Sequence, residues 1–251
     1  LHIAVFLAGF TGILGRLITL NEGLLVWYRL LITVLTLLPL YYFQKKFEKV
    51  DSKDIIKMFG VGVLAALHWI AFYGSIKYAN VSVALVCFSA TGFFTAITEP
   101  FITGRKFIIS ELLLGLLVMS GISLIFHFDP EYKTGIILGL ICAMLAGIFP
   151  VYSRVFVQRY TAETVTLYQL SGGLIFLSAV LPLYLNYFPA DHFIPTLSDF
   201  GWLLVLSWLC TVLGFNLGIS ALKKISAFTA NLTYNLEPLY GIALAFAIYR
   251  E

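Results

Sequence analysis

Charged residues are scarce in this sequence. Only 12% of its 251 residues are charged, whereas 60% are hydrophobic; soluble domains carry roughly 25% charged and 45–50% apolar residues. So little charge cannot cover so much apolar surface in water, which excludes a soluble globular domain. The net charge of +3 is small and the basic residues are spread over short loops, so we expect no nucleic-acid partner.

The sequence also lacks the patterns of catalytic and metal sites. Its three cysteines, Cys87, Cys142 and Cys210, lie in apolar runs without the spacing of metal ligands or of a disulfide framework. The histidines are scattered, no Asp falls within a predicted span, and no phosphate-binding loop of the form G-x-x-x-x-G-K-S/T occurs. We therefore expect no metal, no cofactor and no enzymatic activity.

Long apolar runs fill most of the chain. A run of about 18 residues or more can cross a bilayer core of roughly 30 Å as a helix, and the absence of period-two alternation favours helices over barrel strands. We predict an all-α bundle within a lipid bilayer. Its nine predicted spans are residues 1–19, 23–43, 56–77, 80–101, 108–127, 135–155, 164–186, 201–221 and 226–249.

The basic residues predict an orientation, because cytoplasmic loops of membrane proteins are enriched in Lys and Arg. If the N-terminus is cytoplasmic, the predicted cytoplasmic loops hold eleven of them, several in residues 44–57, and the opposite loops hold four, including Arg250. We therefore predict a multi-pass protein of the cell membrane, the inner membrane of a bacterium, with a cytoplasmic N-terminus.

The two halves of the sequence are similar. FLAGFTGILGR (residues 6–16) matches MLAGIFPVYSR (residues 144–154), and LLPLY (residues 37–41) matches VLPLY (residues 180–184). We predict one repeat over residues 1–128 and another over 135–251. The first contains five spans, an odd number, so the second must be inverted in the membrane, as in many secondary transporters. The second contains four, so we expect a tenth helix beyond residue 251.

Three stretches carry a family resemblance. They are VWYRLLITVLTLLPL (26–40), WIAFYGSIKYANVSVALVCFSATGFFTAI (69–97) and ALKKISAFTANLTYNLEPLYGIALAFAIYRE (221–251). They resemble the drug/metabolite transporter superfamily of the EamA-domain type, over nearly the whole chain. The resemblance implies ten helices in two five-helix repeats and a transport function. Glu237-Pro238 and the final Glu251 fall where the family tends to carry a Glu-Pro and a closing Gly-Glu, whereas Arg250 replaces the usual Gly.

Four ionisable side chains lie deep within predicted spans: Arg29, His68, Glu99 and Glu237. Such residues are costly in lipid and by default mark function. Glu237, in a helix opened by Pro238, is either a site for a proton or a substrate amine, or a structural partner of a base such as Arg29. Arg29 either binds a substrate carboxylate, or has a structural role in which its side chain snorkels to the outer interface or pairs with another residue of the protein. His68 is a protonation switch or a packed side chain. Glu99 is a coupling or structural charge.

Helical periodicity suggests which polar residues face a cavity. At about 100° per residue, Asn231, Tyr234, Asn235 and Pro238 share one face of the ninth span, and Glu237 points away from it. In the third span a face with His68 carries aromatic residues, which suit an apolar or flat substrate. The candidate substrate-binding residues are Asn231, Tyr234, Asn235, His68, Trp69, Phe72, Tyr73, Phe93 and Tyr168.

These observations favour a secondary transporter. The predicted substrate is a small metabolite, such as an amino acid or an amphipathic compound, moved across the cytoplasmic membrane by alternating access, with proton coupling as a further hypothesis. The breakers Gly92 and Pro238 lie in corresponding positions of the two halves, as expected for discontinuous helices around a binding site. The alternative is a non-transporting membrane scaffold or assembly subunit, whose polar residues serve packing alone. The sequence does not decide between a monomer and a homodimer.

Overall fold

The computed structural model of the protein describes residues 1–128 and 130–249. Within these ranges the chain forms helices and no β-strand, so the predicted all-α class is confirmed. The helices are α1 (His2–Leu17), α2 (Glu22–Phe43), α3 (Ser52–Tyr78), α4 (Val81–Phe88), α5 (Thr91–Thr103), α6 (Ile109–Phe128), α7 (Lys133–Val157), α8 (Ala162–Tyr187), α9 (Leu197–Val205), α10 (Asn216–Ala221), α11 (Ala227–Tyr234) and α12 (Glu237–Tyr249). A short 3₁₀ helix, Pro130–Tyr132, precedes α7, and a π-helical segment, Leu206–Phe215, joins α9 to α10. Arg250 and Glu251 lie outside the described residues.

Six of the nine predicted spans are long and apolar enough to cross a bilayer. They are α2, α3, α4 with α5, α7, α8, and α9 through α10. The predicted spans 1–19 and 108–127 correspond to α1 and α6, where the apolar stretches His2–Leu17 and Ile109–Gly121 are shorter. The predicted span 226–249 is divided into α11 and α12. By length and composition, six spans among the described residues can cross a bilayer, whereas nine were predicted.

Short polar side chains set the helix starts. Asn21, Asp51, Asn80, Thr161 and Ser226 each accept a hydrogen bond from a backbone N–H in the first turn of the helix that follows. These bonds satisfy donors that have no partner within the helix. Because an apolar run begins within a few residues of each of these positions, the starts of the long spans could be predicted from the sequence to within a few residues.

The connections lie on two opposite faces of the bundle. One face, which we call the basic face, carries residues 44–51, 104–108, 158–161 and 222–226; the other, the opposite face, carries residues 18–21, 79–80 and 188–196. On the basic face Lys46 Nζ lies 2.8 Å from Glu163 Oε1. On the opposite face the Asn21 side chain donates to the Phe188 carbonyl at 3.1 Å. The end of α2 therefore lies beside the start of α8, and the start of α2 lies beside the end of α8. The two helices are antiparallel.

Glycines allow the central helices to approach closely. A Cβ built on Gly62 of α3 would lie 1.7 Å from the Gln169 carbonyl oxygen of α8, and one built on Gly172 of α8 would lie 2.3 Å from the Phe59 Cα of α3. Small residues let helix backbones come this near in a membrane. The α3 and α8 backbones are therefore in near contact at Gly62 and Gly172.

Two spans are interrupted near the middle of the bundle. Between α4 and α5 the chain turns at Ser89 and Ala90, and the Thr91 hydroxyl donates to the Phe88 carbonyl at 2.5 Å. Between α11 and α12 it turns just before Glu237 and Pro238. Proline has no N–H and disfavours helical backbone in the residue before it, which explains the second interruption.

Candidate functional site

A cavity of about 110 Å³ lies between α1, α2, α3, α4, α7, the π-helical segment, α10, α11 and α12. Most of its wall is apolar or aromatic. The lining side chains with strongly polar groups are Thr11, Arg29, His68, Asn231, Tyr234 and Glu237. A mainly apolar cavity with a few polar groups is the usual form of a small-molecule site.

The cavity extends from the middle of the bundle toward the basic face. Its lining includes Ala4 near the start of α1, Pro150 in the second half of α7, Leu222 just after α10 and Ala230 in the first half of α11. Each of these positions lies at the end of its helix nearer the basic face. In the other direction the lining ends in the layer that contains Arg29.

Arg29 is held in place by neutral groups. Its Nε donates to Thr211 Oγ1 at 2.8 Å, its Nη1 donates to the Tyr73 hydroxyl at 2.8 Å, and its Cζ lies 3.9 Å from the centroid of the Trp69 ring. The residue is only 2% exposed, so its head group stays within the bundle and does not snorkel. The N–H groups not used by Thr211 and Tyr73 remain available to a ligand.

His68 sits among aromatic rings. Its ring centroid lies 5.8 Å from that of Trp69, 6.0 Å from Phe88 and 5.3 Å from Phe149. Its Nδ1 is 3.3 Å from the Ala65 carbonyl oxygen and must be the donor, because a carbonyl only accepts. In the neutral ring this leaves Nε2 as an acceptor. The packed, hydrogen-bonded geometry fits the structural interpretation of His68, and the residue also lines the cavity.

Glu237 lines the same cavity as Asn231 and Tyr234, contrary to the prediction that it points away from them. The prediction treated the ninth span as one continuous helix. In the structure α11 ends at Tyr234 and α12 begins at Glu237, so the turn between them changes the angular phase. Glu237 is 5% exposed, and no described residue donates a hydrogen bond to its carboxylate. Arg29, which carries the opposite charge, lines the same cavity.

Asn231 joins three helices beside the cavity. Its Nδ2 donates to Thr95 Oγ1 of α5 at 2.7 Å and to the Ala146 carbonyl of α7 at 3.3 Å. The amide therefore serves both interpretations made from the sequence, an interhelical hydrogen bond and a position on the cavity wall.

Other predicted site residues lie away from the cavity wall. Tyr73 is fully buried behind Arg29, and Asn235 lies at the turn that follows α11. Phe93 packs against Phe94 beside α6, and the ring of Tyr168 lies 6.3 Å from that of Phe59. By contrast His68, Trp69, Phe72, Asn231 and Tyr234 all line the cavity.

Glu99 anchors the start of α11. Its Oε1 accepts from the Ala227 N–H at 3.2 Å and its Oε2 from the Phe228 N–H at 3.0 Å, while Arg105 Nη2 lies 3.8 Å away. The N-terminus of a helix attracts anions through its free N–H groups and its dipole. Glu99 is fully buried and does not line the cavity, so the geometry fits its structural interpretation.

Comparison with known proteins decides the family. The model of the EamA-like transporter family matches residues 1–127 and 133–251. The chain belongs to the EamA-like transporter family. The resemblance inferred from the three sequence stretches is confirmed, and the chain is a multi-pass membrane protein of a transporter family.

Two related proteins agree with this assignment of an EamA-like transporter. An "uncharacterized transporter" of Haemophilus influenzae is 24% identical over 235 residues, which cover 89% of this chain and 74% of the relative. A solved crystal structure superimposes with a TM-score of 0.71 at 15% identity, over 99% of this chain and 86% of that one. At this identity the crystal structure supports the fold alone.

Sequence reasoning missed several residues of this EamA-like transporter that shape the cavity. Thr211 fixes Arg29, and Phe149 and Phe215 stack along the wall with centroids 6.2 Å apart and planes inclined by 18°. Pro150, a proline within a predicted span, could have drawn attention to the neighbouring Phe149. The apolar run around Thr211 contains no such feature, because the contact of Thr211 with Arg29 depends on the π-helical backbone.

The described residues of this EamA-like transporter contain no group of three or more His, Cys, Asp or Glu side chains that could hold a metal ion. The three cysteines are buried as free thiols, and Cys210 is part of the cavity wall. The chemistry that the cavity offers is therefore hydrogen bonding, charge and aromatic contact.

Proposed function

We propose that the chain is a secondary transporter that binds a small metabolite in the central cavity and moves it across the membrane by alternating access. The observation that carries this proposal is the Glu237 carboxylate, which is 5% exposed, lines the cavity and receives no hydrogen bond from a described residue. A buried carboxylate without a donor is costly in an apolar setting. A ligand that donates to Glu237 would lower that cost.

The antiparallel relation of α2 and α8 supports an inverted repeat over residues 1–128 and 135–251. In the proposed alignment of the two repeats α2 corresponds to α8, and α4–α5 corresponds to α11–α12. An inverted repeat requires corresponding helices to run in opposite directions, as α2 and α8 do. The two corresponding spans are also the ones interrupted near the middle of the bundle. Discontinuous helices at a repeat interface are typical of substrate sites in secondary transporters.

The charges and rings of the cavity favour an amphipathic substrate. Arg29 has free N–H groups for a carboxylate or another acceptor, and Glu237 can accept from an ammonium or hydroxyl group. Phe72, Phe88 and Phe149 offer apolar surface beside them. A small metabolite with a polar head and an apolar body, such as an amino acid with an apolar side chain, fits this arrangement.

Proton coupling is part of the proposal. Glu237 and His68 are the cavity residues that we propose exchange a proton with the substrate or with water during the cycle. We also propose that the basic face is cytoplasmic, because cytoplasmic loops are enriched in Lys and Arg. This orientation makes the N-terminus cytoplasmic in the inner membrane of a bacterium.

Flux in proteoliposomes tests the function. We expect the purified protein to exchange amino acids or other small amphipathic metabolites, and we expect Glu237→Gln to lose most of that flux. Glu163→Gln is the matched control, because Glu163 pairs with Lys46 on the basic face and does not line the cavity. If no solute among amino acids, nucleosides and organic amines is moved with or without a proton gradient, the alternative of a non-transporting scaffold is favoured.

A further inference from the structure

We infer that Arg29 and Thr211 form a latch that closes the cavity toward the opposite face, and that this latch must open once in each transport cycle. The inference rests on the proposed function, since it concerns alternating access. It adds to that function the residues that form the barrier. We call the contact between Arg29 of α2 and Thr211 of the π-helical segment the Arg29–Thr211 latch.

The latch lies where the cavity ends. Arg29 is the α2 residue that lines the cavity, and beyond it lie side chains that are at most 1% exposed, among them Ile18, Leu24 and Leu25. A second pocket at the opposite face, beside Glu22 and Lys77, shares no lining residue with the cavity. Toward the basic face the lining continues as far as Ala4 and Leu222. A solute in the cavity would therefore meet its first barrier toward the opposite face at Arg29.

The latch also crosses between the two proposed repeats. Arg29 belongs to α2, in the first half of the chain, and Thr211 to the π-helical segment in the second half. A second bond, from the Ser207 hydroxyl to the Arg29 carbonyl at 3.3 Å, joins the same two elements. Tyr73 and Trp69, which also hold the Arg29 side chain, lie in α3 of the first half. If the halves rock apart, Arg29 keeps Tyr73 and Trp69 but loses Thr211.

The π-helical backbone makes the contact possible. The Thr211 hydroxyl donates to the Leu206 carbonyl five residues earlier at 3.0 Å, and so its oxygen is free to accept from Arg29 Nε at 2.8 Å. π-Helical geometry within α-helices occurs often at functional sites. The hydroxyl therefore has one donor and one acceptor role, and removing it breaks the bond to Arg29 without removing the residue's bulk.

Cys210 provides a reporter that does not need a known substrate. It lines the cavity, and in a protein with Cys87→Ala and Cys142→Ala it is the remaining thiol. A membrane-impermeant, positively charged methanethiosulfonate added to one side of oriented vesicles measures how often the cavity opens to that side. We expect Cys210 to react readily from the basic face and slowly from the opposite face.

Thr211→Val tests the latch, because valine has nearly the same shape and lacks the hydroxyl. We expect labelling from the opposite face to become about 3-fold to 20-fold faster, the range set by the loss of one interhelical hydrogen bond in a membrane. The matched control is Thr36→Val, which removes the bond from Trp208 Nε1 to Thr36 Oγ1 at 3.1 Å between the same two elements but at an exposed position away from the cavity. We expect Cys210 in the Thr36→Val protein to be labelled from the opposite face at the same rate as in the parent protein.

The outcomes separate the latch from the function. If labelling from the opposite face occurs in the parent protein and is unchanged in Thr211→Val, the latch is refuted while alternating access stands. If Cys210 never reacts from that face in any variant, alternating access itself fails, and the latch with it. Should Thr211→Val not fold, as judged by size-exclusion chromatography, Ser207→Ala removes the second bond between the two elements and carries the same expectation. Equal rates in Ser207→Ala and the parent would then overturn the inference.

Discussion

Replacing Glu99 by Ala is expected to destabilise the fold, because two backbone donors at the start of α11 would lose their acceptor. The Ala227 and Phe228 N–H groups bond to the fully buried Glu99 carboxylate at 3.2 and 3.0 Å. An unsatisfied buried donor costs about 1–3 kcal/mol, so the loss is about 2–6 kcal/mol for the two. Glu99→Gln keeps one carbonyl oxygen and should cost about 1–3 kcal/mol. Either value is a large share of the roughly 5–15 kcal/mol that stabilises a typical protein.

The contrasting variant is Glu237→Gln. No described residue donates to that carboxylate, so Glu237→Gln breaks no hydrogen bond, and Arg29 of the same cavity keeps its bonds to Thr211 and Tyr73; stability should therefore stay close to that of the parent. The measurement is the apparent melting temperature in detergent, followed by the recovery of monodisperse protein. We expect the melting temperature to rise in the order Glu99→Ala, Glu99→Gln, parent, with Glu237→Gln close to the parent. A Glu99→Ala protein that melts like the parent would refute the anchoring role.

Two further predictions follow from the cavity and from helix packing. Tyr234→Ala should reduce flux at unchanged expression, because Tyr234 lines the cavity. Asn235→Ala should reduce flux less, because Asn235 does not line it. Equal losses of flux would contradict this assignment of residues to the cavity wall. Gly62→Ala should lower the yield of folded protein, because its Cβ would lie 1.7 Å from the Gln169 carbonyl oxygen, while Gly60→Ala, with nothing within 4 Å, should fold normally. Size-exclusion profiles measure the second pair, and a normal profile for Gly62→Ala would show that α3 and α8 can separate at little cost.

Part of the candidate site was predictable from residue type and spacing. His68, Trp69 and Phe72 fall on neighbouring faces of one apolar helix, and α3 is unbroken, so helical periodicity brought them to one wall. Asn231 and Tyr234 share the cavity wall because α11 is regular between them. The position of Glu237 was wrong because periodicity cannot be carried across a turn.

Other functional contacts had no local signal. Thr211 reaches Arg29 from 182 positions away in the chain, and only the π-helical backbone turns its hydroxyl toward the guanidinium. The two buried Glu-Pro pairs look alike in the sequence, yet Glu99 meets the free N–H groups of α11 and Glu237 faces the cavity. Which carboxylate is structural depends on what the neighbouring helix presents.

The sequence by itself determined that this chain is a helical membrane protein, because long uncharged runs must bury in lipid and satisfy their backbone groups within each segment. Its membership of the EamA-like family was indicated by the resemblance of three stretches and shown by the family match. It also determined most of the helix starts, since the capping residues and the helices that they begin are adjacent in the chain. The tertiary structure alone decided where the cavity ends and which polar side chains face it. Those properties arise from helix interruptions and from contacts between segments that are distant in the chain, so the local sequence does not show them.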